Sequence, residues 1–214
     1  MKKLNKKQRE ELLVRLLTLY PNAECALHYK TIYQLLIAVV LSAQTTDRSV
    51  NEVTPELFER CPDAKSMSKI SEEELQKYLK RLGMYKTKAR NIRNLSMILV
   101  DKYDGQVPRD YEQLIALPGV GRKTANVVLS VGFGEPRIAV DTHVFRLANR
   151  IGIVNEKNVL NTELALMKCI PKEQWSDSHH ALIWHGRLVC MARNPKCEEC
   201  SLNNLCAKNN LNKK

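Results

Sequence analysis

Several features that mark special classes of protein are scarce in this chain of 214 residues. The 8 glycines and 8 prolines are too few for a collagenous, low-complexity or disordered chain. The 7 cysteines are odd in number and spread along the sequence, unlike the dense pattern of a disulfide scaffold. The composition therefore indicates an ordinary globular protein of one domain or two small ones.

Long apolar runs are also missing. The longest, Leu35 to Leu41, is far shorter than the roughly 20 residues that a membrane-spanning helix needs. The N-terminal segment mixes apolar with charged residues and lacks the uninterrupted apolar core of a signal peptide. We therefore expect a cytoplasmic protein with reduced thiols and no membrane partner.

Positive charge exceeds negative charge, with 34 Lys and Arg against 23 Asp and Glu and a formal charge of +11. Eight basic residues and one acidic residue lie between Lys77 and Lys102. This excess is typical of a protein that binds a polyanion, although a solvated basic face would look the same. Since aromatic residues make up only 6% of the chain, a groove built on repeated base stacking is not favoured.

The fold class is predicted to be all-α, because apolar residues recur at helical spacing and alternating strand patterns are hard to find. Ser71 and Asp141 are expected to cap the N-termini of two of these helices. The predicted helices cover residues 3–19, 31–42, 71–82, 88–103, 111–117, 124–131, 142–150, 160–169 and 178–190.

Four cysteines follow the last predicted helix in the pattern C-x6-C-x2-C-x5-C, within a short polar segment. They are Cys190, Cys197, Cys200 and Cys206. Four thiolates can hold zinc or a [4Fe-4S] cluster, and the uneven spacing favours the cluster over the paired C-x2-C knuckles of structural zinc. Such a cluster either transfers electrons or stabilises the fold, and the identity of its ligands does not show which of these two roles it has.

A glycine-rich turn joins the helices predicted before and after residues 117–121. Gly119 and Gly121 allow the positive φ angles of a tight turn, and their backbone N–H groups at the start of a helix suit a phosphate. A nucleotide-binding P-loop is excluded, because Arg122 stands where that motif needs glycine. A turn without a ligand is the alternative.

Lys123 follows this turn in the first turn of the next helix, where the helix dipole and Arg122 favour a neutral, nucleophilic amine over its ammonium. Asp141 comes after the apolar segment Ile138-Ala139-Val140. Each has an ordinary interpretation, as a surface lysine and a helix cap. Together they suit Schiff-base chemistry, in which an amine attacks and a carboxylate activates it and stabilises positive charge.

The hairpin sequence Leu-Pro-Gly-Val-Gly-Arg-Lys-Thr-Ala, the later Val-Asp-Thr-His-Val-Phe-Arg and the four-cysteine tail occur here in one order. In this combination the chain resembles the endonuclease III family, of the helix-hairpin-helix DNA glycosylase superfamily. The resemblance extends from about Pro21 to Cys206.

The resemblance implies a two-lobed all-α fold with DNA bound between the lobes. One lobe, residues 22–135, is a six-helix barrel that contains the helix-hairpin-helix at about 111–132. The other joins residues 1–21 to 136–214 and holds one [4Fe-4S] cluster on the four tail cysteines. The implied partner is double-stranded DNA with a damaged base or an abasic site, and the implied enzyme is a monomer, nucleoid-associated if bacterial.

The implied reaction is base excision with strand cleavage. A damaged nucleotide is flipped out of the duplex, Lys123 attacks C1′ with help from Asp141, the base leaves, and β-elimination breaks the strand 3′ to the site. Oxidised pyrimidines are the favoured substrates, because adenine-removing relatives lack the lysine and thymine-mismatch glycosylases have tyrosine there.

The resemblance also implies DNA contacts. Gln44 matches the residue that fills the gap left by the flipped base, and Met84 matches an apolar wedge where leucine would be expected. The remaining contacts are Gly119, Val120, Gly121, Arg122 and Thr124 of the hairpin, with Arg193 and Lys196 of the tail. The alternatives are a non-catalytic DNA-binding module and a small electron carrier.

Overall fold

A computed structural model describes residues 2–209 and residue 211, and every regular element within them is helical. The predicted all-α class is confirmed. In chain order the α-helices are α1 (Lys6–Leu19), α2 (Ile32–Leu41), α3 (Asp47–Arg60), α4 (Ala64–Lys69), α5 (Glu72–Leu79), α6 (Tyr85–Tyr103), α7 (Tyr111–Ile115), α8 (Arg122–Val127), α9 (Thr142–Ile151), α10 (Val159–Cys169) and α11 (Trp175–Leu188). In the described part of the chain, no helix is long and apolar enough to cross a membrane.

Contacts divide the chain into two compact units. One unit, Ala26–Gly134, contains α2 to α8 and is called the central unit here. The other combines Met1–Cys25 with Glu135–Lys214, contains α1 and α9 to α11, and is called the terminal unit.

The core of the central unit is built around α2. Thr31 caps this helix by accepting a hydrogen bond from Gln34 N, and every residue from Tyr33 to Leu41 is buried. A helix that is apolar on all sides belongs in the middle of its unit, and α2 contacts α3, α6 and α8. The longest helix, α6, packs against α4 and α5.

The terminal unit packs α11 against both α1 and α9, and α9 contacts α10. Residues near the two ends of the chain are joined by hydrogen bonds. Asn209 Nδ2 donates to Lys2 O at 2.6 Å and to Asn149 O at 3.0 Å, and Asn209 Oδ1 accepts from Lys2 N at 3.0 Å. Leu4 N also donates to Gly152 O at 2.9 Å.

The structure adds two helices, α3 and α4, that were not among the predicted ones. The sequence of α3 is mostly polar and contains Pro55, but Val50, Val53 and Leu57 lie on one face and are buried. Packing of this narrow stripe outweighs the weak helical propensity of the segment. The helix after Lys123 also differs from expectation, because α8 continues into a π-helical segment, Val128–Gly132.

Candidate functional site

The turn between α7 and α8 is tight and is held in place by buried side chains. Leu117 and Val120 are buried, and Val120 N donates to Leu117 O at 3.1 Å. Gly119 has a φ of +78°, and a β-carbon there would lie 2.9 Å from Nδ2 of Asn91 on α6. Glycine is therefore needed at this position for both its backbone angle and its lack of a side chain.

Gly121 does not share this requirement, which corrects the expectation of two positive φ angles. Its φ is −97°, it occupies the N-cap position of α8, and a β-carbon would meet nothing within 4 Å. The extended backbone at Gly121 is open to any residue, so the conformational demand falls on Gly119 alone.

The hairpin offers donors to an anion. The amides of Gly119 and Gly121 donate no hydrogen bond to any residue that the structure describes. The exposed Arg122 guanidinium lies 5.6 Å from the centre of the Tyr111 ring and donates to its hydroxyl at 3.2 Å. The side chains of Val120 and Thr124 are buried, so these residues can present only backbone groups.

Lys123 is the second residue of α8 and is half-buried. It thus stands at the N-terminal turn of the helix that follows the hairpin, as its sequence position predicts.

Asp141 caps α9 as predicted. Its Oδ1 accepts from His143 N and Val144 N, both at 2.8 Å, and its Oδ2 accepts from His143 Nδ1 at 3.3 Å. Burial by itself raises the pKa of this carboxyl, but the hydrogen bonds and the nearby His143 and His179 imidazoles outweigh burial and lower the pKa to about 2. Asp141 is therefore a carboxylate at neutral pH. Lys123 belongs to the central unit and Asp141 to the terminal unit, and their joint action stays a prediction.

Gln44 and Met84 share an unusual backbone conformation. Gln44 has a φ of +52° and Met84 a φ of +58°. Residues other than glycine adopt such angles rarely, and in the described chain Asp104, Asn194 and Lys208 also do so. Both side chains are exposed, Met84 by 54%.

Lys88 is a residue that sequence reasoning misplaced. It is one of the eight basic residues between Lys77 and Lys102 that were expected on a polyanion-binding or solvated surface, but its exposed fraction is only 3%. A signal was present in the sequence, because Lys88 lies on the same helical stripe as Ile92, Leu95 and Leu99.

The four tail cysteines line one cavity in the terminal unit. No three His, Cys, Asp or Glu side chains of residues 2–209 and 211 are grouped as ligands of a single metal ion. Four thiols around one cavity instead suit a cluster in which each sulfur binds a different iron. Burial raises the pKa of the Cys200 and Cys206 thiols, so a cationic group is needed to hold them as thiolates.

Hydrogen-bond donors point at three of these sulfurs. Arg150 Nη1 lies 3.5 Å from Cys190 Sγ, His185 Nε2 lies 3.5 Å from Cys200 Sγ, and Lys208 N lies 3.3 Å from Cys206 Sγ. Because a thiolate only accepts hydrogen bonds, His185 would donate through Nε2 to a cluster-bound Cys200, and its Nδ1 would then accept from the Tyr20 hydroxyl 3.0 Å away. A soft sulfur donor set with N–H groups aimed at it fits an iron–sulfur cluster.

The tail loop is also fixed to α9. Arg150 donates through Nη1 to Met191 O at 2.7 Å and through Nη2 to Ala192 O at 3.3 Å. Arg193 and Lys196 lie on this loop and are exposed. The loop therefore presents two cations from a fixed backbone.

Comparisons with known proteins agree with these features. Residues 37–172 match the HhH-GPD superfamily of base excision DNA repair proteins, and residues 190–206 match the iron-sulfur binding domain of endonuclease III. Endonuclease III of Bacillus subtilis is 49% identical over 204 residues, which cover 95% of this chain and 93% of that protein. The chain belongs to the endonuclease III family.

Other members of the endonuclease III family extend the match. The Escherichia coli K12 protein is 46% identical over 203 residues, which cover 95% of this chain and 96% of that protein. A solved structure of a trapped endonuclease III–DNA covalent intermediate has a TM-score of 0.92 and 48% identity, and covers 96% of this chain and 97% of that one.

The two-lobed helix-hairpin-helix glycosylase fold is thereby confirmed, and so is the prediction of an enzyme over a binding module or an electron carrier. This endonuclease III family member is a bifunctional DNA glycosylase and abasic-site lyase of base excision repair. It binds DNA, and its cofactor is one [4Fe-4S] cluster.

Proposed function

We propose that Lys123 is the nucleophile and Asp141 the charge-stabilising carboxylate of this reaction, on oxidised pyrimidines in double-stranded DNA. The observation that carries the proposal is the half-buried carboxylate of Asp141, held ionised by the first amides of α9. A carboxylate with a pKa of about 2 is a poor proton acceptor near neutral pH but a strong stabiliser of positive charge.

The reaction then proceeds in two stages. The Lys123 amine bonds to C1′ as the bond from C1′ to the base breaks, and the base leaves with a proton. The sugar ring opens to a Schiff base, which acidifies C2′. Loss of a C2′ proton forms the C2′–C3′ double bond and expels the 3′ phosphate, and this breaks the strand. Asp141 favours each stage at which positive charge develops on the sugar or on the nitrogen.

DNA contacts in this proposal come from four places. Gln44 fills the gap beside the flipped nucleotide, and Met84 wedges the duplex open. The amides of the Gly119–Gly121 turn and the Arg122 guanidinium bind backbone phosphate, as do Arg193 and Lys196. The exposure and left-handed backbone of Gln44 and Met84 support their insertion.

The four tail cysteines, Cys190, Cys197, Cys200 and Cys206, are the proposed ligands of the cluster. Bound there, the cluster supplies a fixed centre around which the polar tail loop can fold. Arg150 and His185 orient the sulfurs, and the loop then presents its two cations. We place the enzyme, as a monomer, with its substrate in the cytoplasm, at the nucleoid if the source is bacterial.

Borohydride trapping tests the central assignment. The purified protein is incubated with duplex DNA that holds one abasic site, borohydride is added, and the covalent adduct is counted on a denaturing gel. Wild type is expected to form the adduct, Lys123→Ala to lose it, and Lys69→Ala to keep it, because Lys69 is an exposed lysine at the end of α4. An undiminished adduct in Lys123→Ala would rule out Lys123 as the nucleophile.

A panel of duplexes tests the substrate class. Duplexes with an oxidised thymine or cytosine are compared with a thymine mismatch and with adenine opposite an oxidised guanine. Cleavage of only the first pair is expected. Preferential release of mismatched thymine or of adenine would overturn the assignment to oxidised pyrimidines.

A further inference from the structure

Lys88 is a buried cation that has no acidic partner among the described residues to offset the loss of hydration. Its exposed fraction is 3%, and its one hydrogen-bond acceptor among the described residues is a neutral hydroxyl, Thr45 Oγ1. No acidic side chain of the described residues pairs with it. Burial of an ammonium without a carboxylate is costly, and the contacts of Lys88 show which segments it joins in return.

Lys88 is connected by hydrogen bonds to both neighbours of Gln44 in the chain. Lys88 Nζ donates to Thr45 Oγ1, and the Thr45 hydroxyl donates in turn to Ala43 O at 3.4 Å. Ala43 and Thr45 flank Gln44, whose backbone has a φ of +52°. The lysine thus holds the loop on each side of the residue with the strained conformation.

The same lysine is tied to Met84 through the backbone. Lys88 lies one turn after the start of α6, and its N–H donates to Met84 O at 3.0 Å. Met84 is the N-cap of α6 and has a φ of +58°. One residue of α6 therefore connects Gln44 and Met84, two exposed residues with left-handed backbone.

We propose that Lys88 is a positioning residue for duplex opening, which holds Gln44 and Met84 at a fixed spacing so that both enter the DNA together. The inference rests on the proposed insertion of those two residues. Without the link, the loop at residues 43–45 can move independently of α6. The ordering of that loop must then occur at the moment of insertion, which slows the step.

Loss of the Lys88–Thr45 hydrogen bond is expected to slow opening of the DNA duplex and to leave Schiff-base formation unchanged. A duplex with a fluorescent adenine analogue opposite the lesion reports unstacking as a rise in fluorescence. Borohydride trapping on a single-stranded abasic oligonucleotide reports the chemistry without a duplex to open. Lys88→Met removes the donor, Thr45→Val removes the acceptor with a smaller change, and Lys69→Met is the exposed control.

Loss of a hydrogen bond to a charged group corresponds to about a tenfold change. Lys88→Met and Thr45→Val are therefore each expected to slow the fluorescence rise about tenfold, and the double variant no more than either one. Their trapping on the single strand is expected to stay within about twofold of wild type, and Lys69→Met to match wild type in both assays.

A purely structural role gives a different result. It would lower the melting temperature of Lys88→Met and Thr45→Val while leaving the opening rate of the folded protein unchanged, and that outcome overturns the inference. Thr45→Val keeps the test decisive if Lys88→Met fails to fold.

Gln44→Ala and Met84→Ala separate the inference from the proposal beneath it. If both slow opening while Lys88→Met and Thr45→Val do not, the role of Lys88 is wrong and the insertion of Gln44 and Met84 stands. If neither slows opening, the insertion itself is wrong and the role of Lys88 falls with it.

Discussion

Asn91 packs against Gly119 so closely that the amide nitrogen of Asn91 occupies the space where a glycine substituent would lie. Asn91 is on α6, one turn beyond Lys88, which holds the loop of Gln44. The same helix therefore supports the turn proposed to bind phosphate and the Gln44 loop. Within the central unit, α6 is the element that fixes the candidate DNA contacts to one another.

This packing predicts unequal effects of alanine at the two glycines of the turn. Gly119→Ala must accommodate both a φ of +78° and a contact of 2.9 Å with Asn91, and is expected to destabilise the protein by about 1–3 kcal/mol. Gly121→Ala meets open space at a φ of −97° and should change stability by less than about 0.5 kcal/mol. Chemical unfolding of the two variants measures the difference in stability. Equal losses of stability would contradict the conclusion that only Gly119 must be glycine.

The negative charge of Asp141 is predicted to be needed for base release, and its role as the N-cap of α9 for stability. Asn is as good an N-cap as Asp, so Asp141→Asn should keep the fold while slowing base release about a hundredfold. Asp141→Ala should lose the cap as well, at about 1 kcal/mol of stability. Single-turnover kinetics and unfolding curves together separate the two losses. Near wild-type turnover in Asp141→Asn would show that the negative charge is not needed.

The lowered pKa of Asp141 also sets a pH window. A carboxylate whose pKa is lower in the folded than in the unfolded protein stabilises the fold fully above the unfolded pKa of 3.8, and this contribution is lost as pH falls toward about 2. The difference in unfolding free energy between wild type and Asp141→Asn is therefore expected not to shrink between about pH 7 and about pH 5. A difference that already shrinks over that range would indicate a raised pKa.

Cysteine substitutions should fall into two groups. Serine at Cys190, Cys197, Cys200 or Cys206 should reduce bound iron and sulfide and the visible absorption of the cluster, because each thiolate binds one iron. Serine at Cys169, which packs against the terminal core away from that cavity, should leave the iron content unchanged. Iron and sulfide assays on the purified variants measure this, and full iron content in a variant of any of the four would remove that cysteine from the ligand set.

Arg150 is predicted to retain the cluster by fixing the tail loop. Arg150→Met loses its hydrogen bonds to the carbonyls of Met191 and Ala192 and to Cys190 Sγ, and hydrogen bonds to charged groups contribute about 1.5–3 kcal/mol each. The variant should lose iron to a chelator several times faster than wild type. Lys168→Met, an exposed change on α10, is the control, and equal rates for the two variants would mean that the loop does not depend on Arg150.

The starts of three capped helices were predicted to within one residue, whereas the caps Asn5, Thr46 and Asp63 did not give the start of α1 or reveal α3 and α4. Thr31, Ser71 and Asp141 each cap the helix that follows. Starts without a strong signal were placed three residues away, as at Trp175, because turn residues around helix ends have weak preferences. The helix α3 was missed, since its few apolar residues become informative only when α2 and α5 supply a surface to bury them.

The candidate catalytic and ligand residues were easier to predict from the sequence than the residues that hold the site in place. Lys123, Asp141 and the four cysteines stand out by residue type and spacing alone. The burial of Lys88 does not, because it depends on packing with segments such as that of Thr45, more than forty residues away in the sequence. No local pattern reports such a contact, although a lysine within an apolar helical stripe is a hint. The left-handed backbone of Gln44 and Met84 is not marked by their residue types either.

The terminal unit, whose two segments are joined by the hydrogen bonds between Lys2 and Asn209, also bears on the order of folding during synthesis. Residues 26–134 leave the ribosome as a continuous block and can complete their core during translation. The terminal unit needs α1 to wait for α9 and α11, which follow the central unit in the chain. The four tail cysteines of the candidate cluster site thus come together only after the central unit, with its hairpin turn, can already have folded.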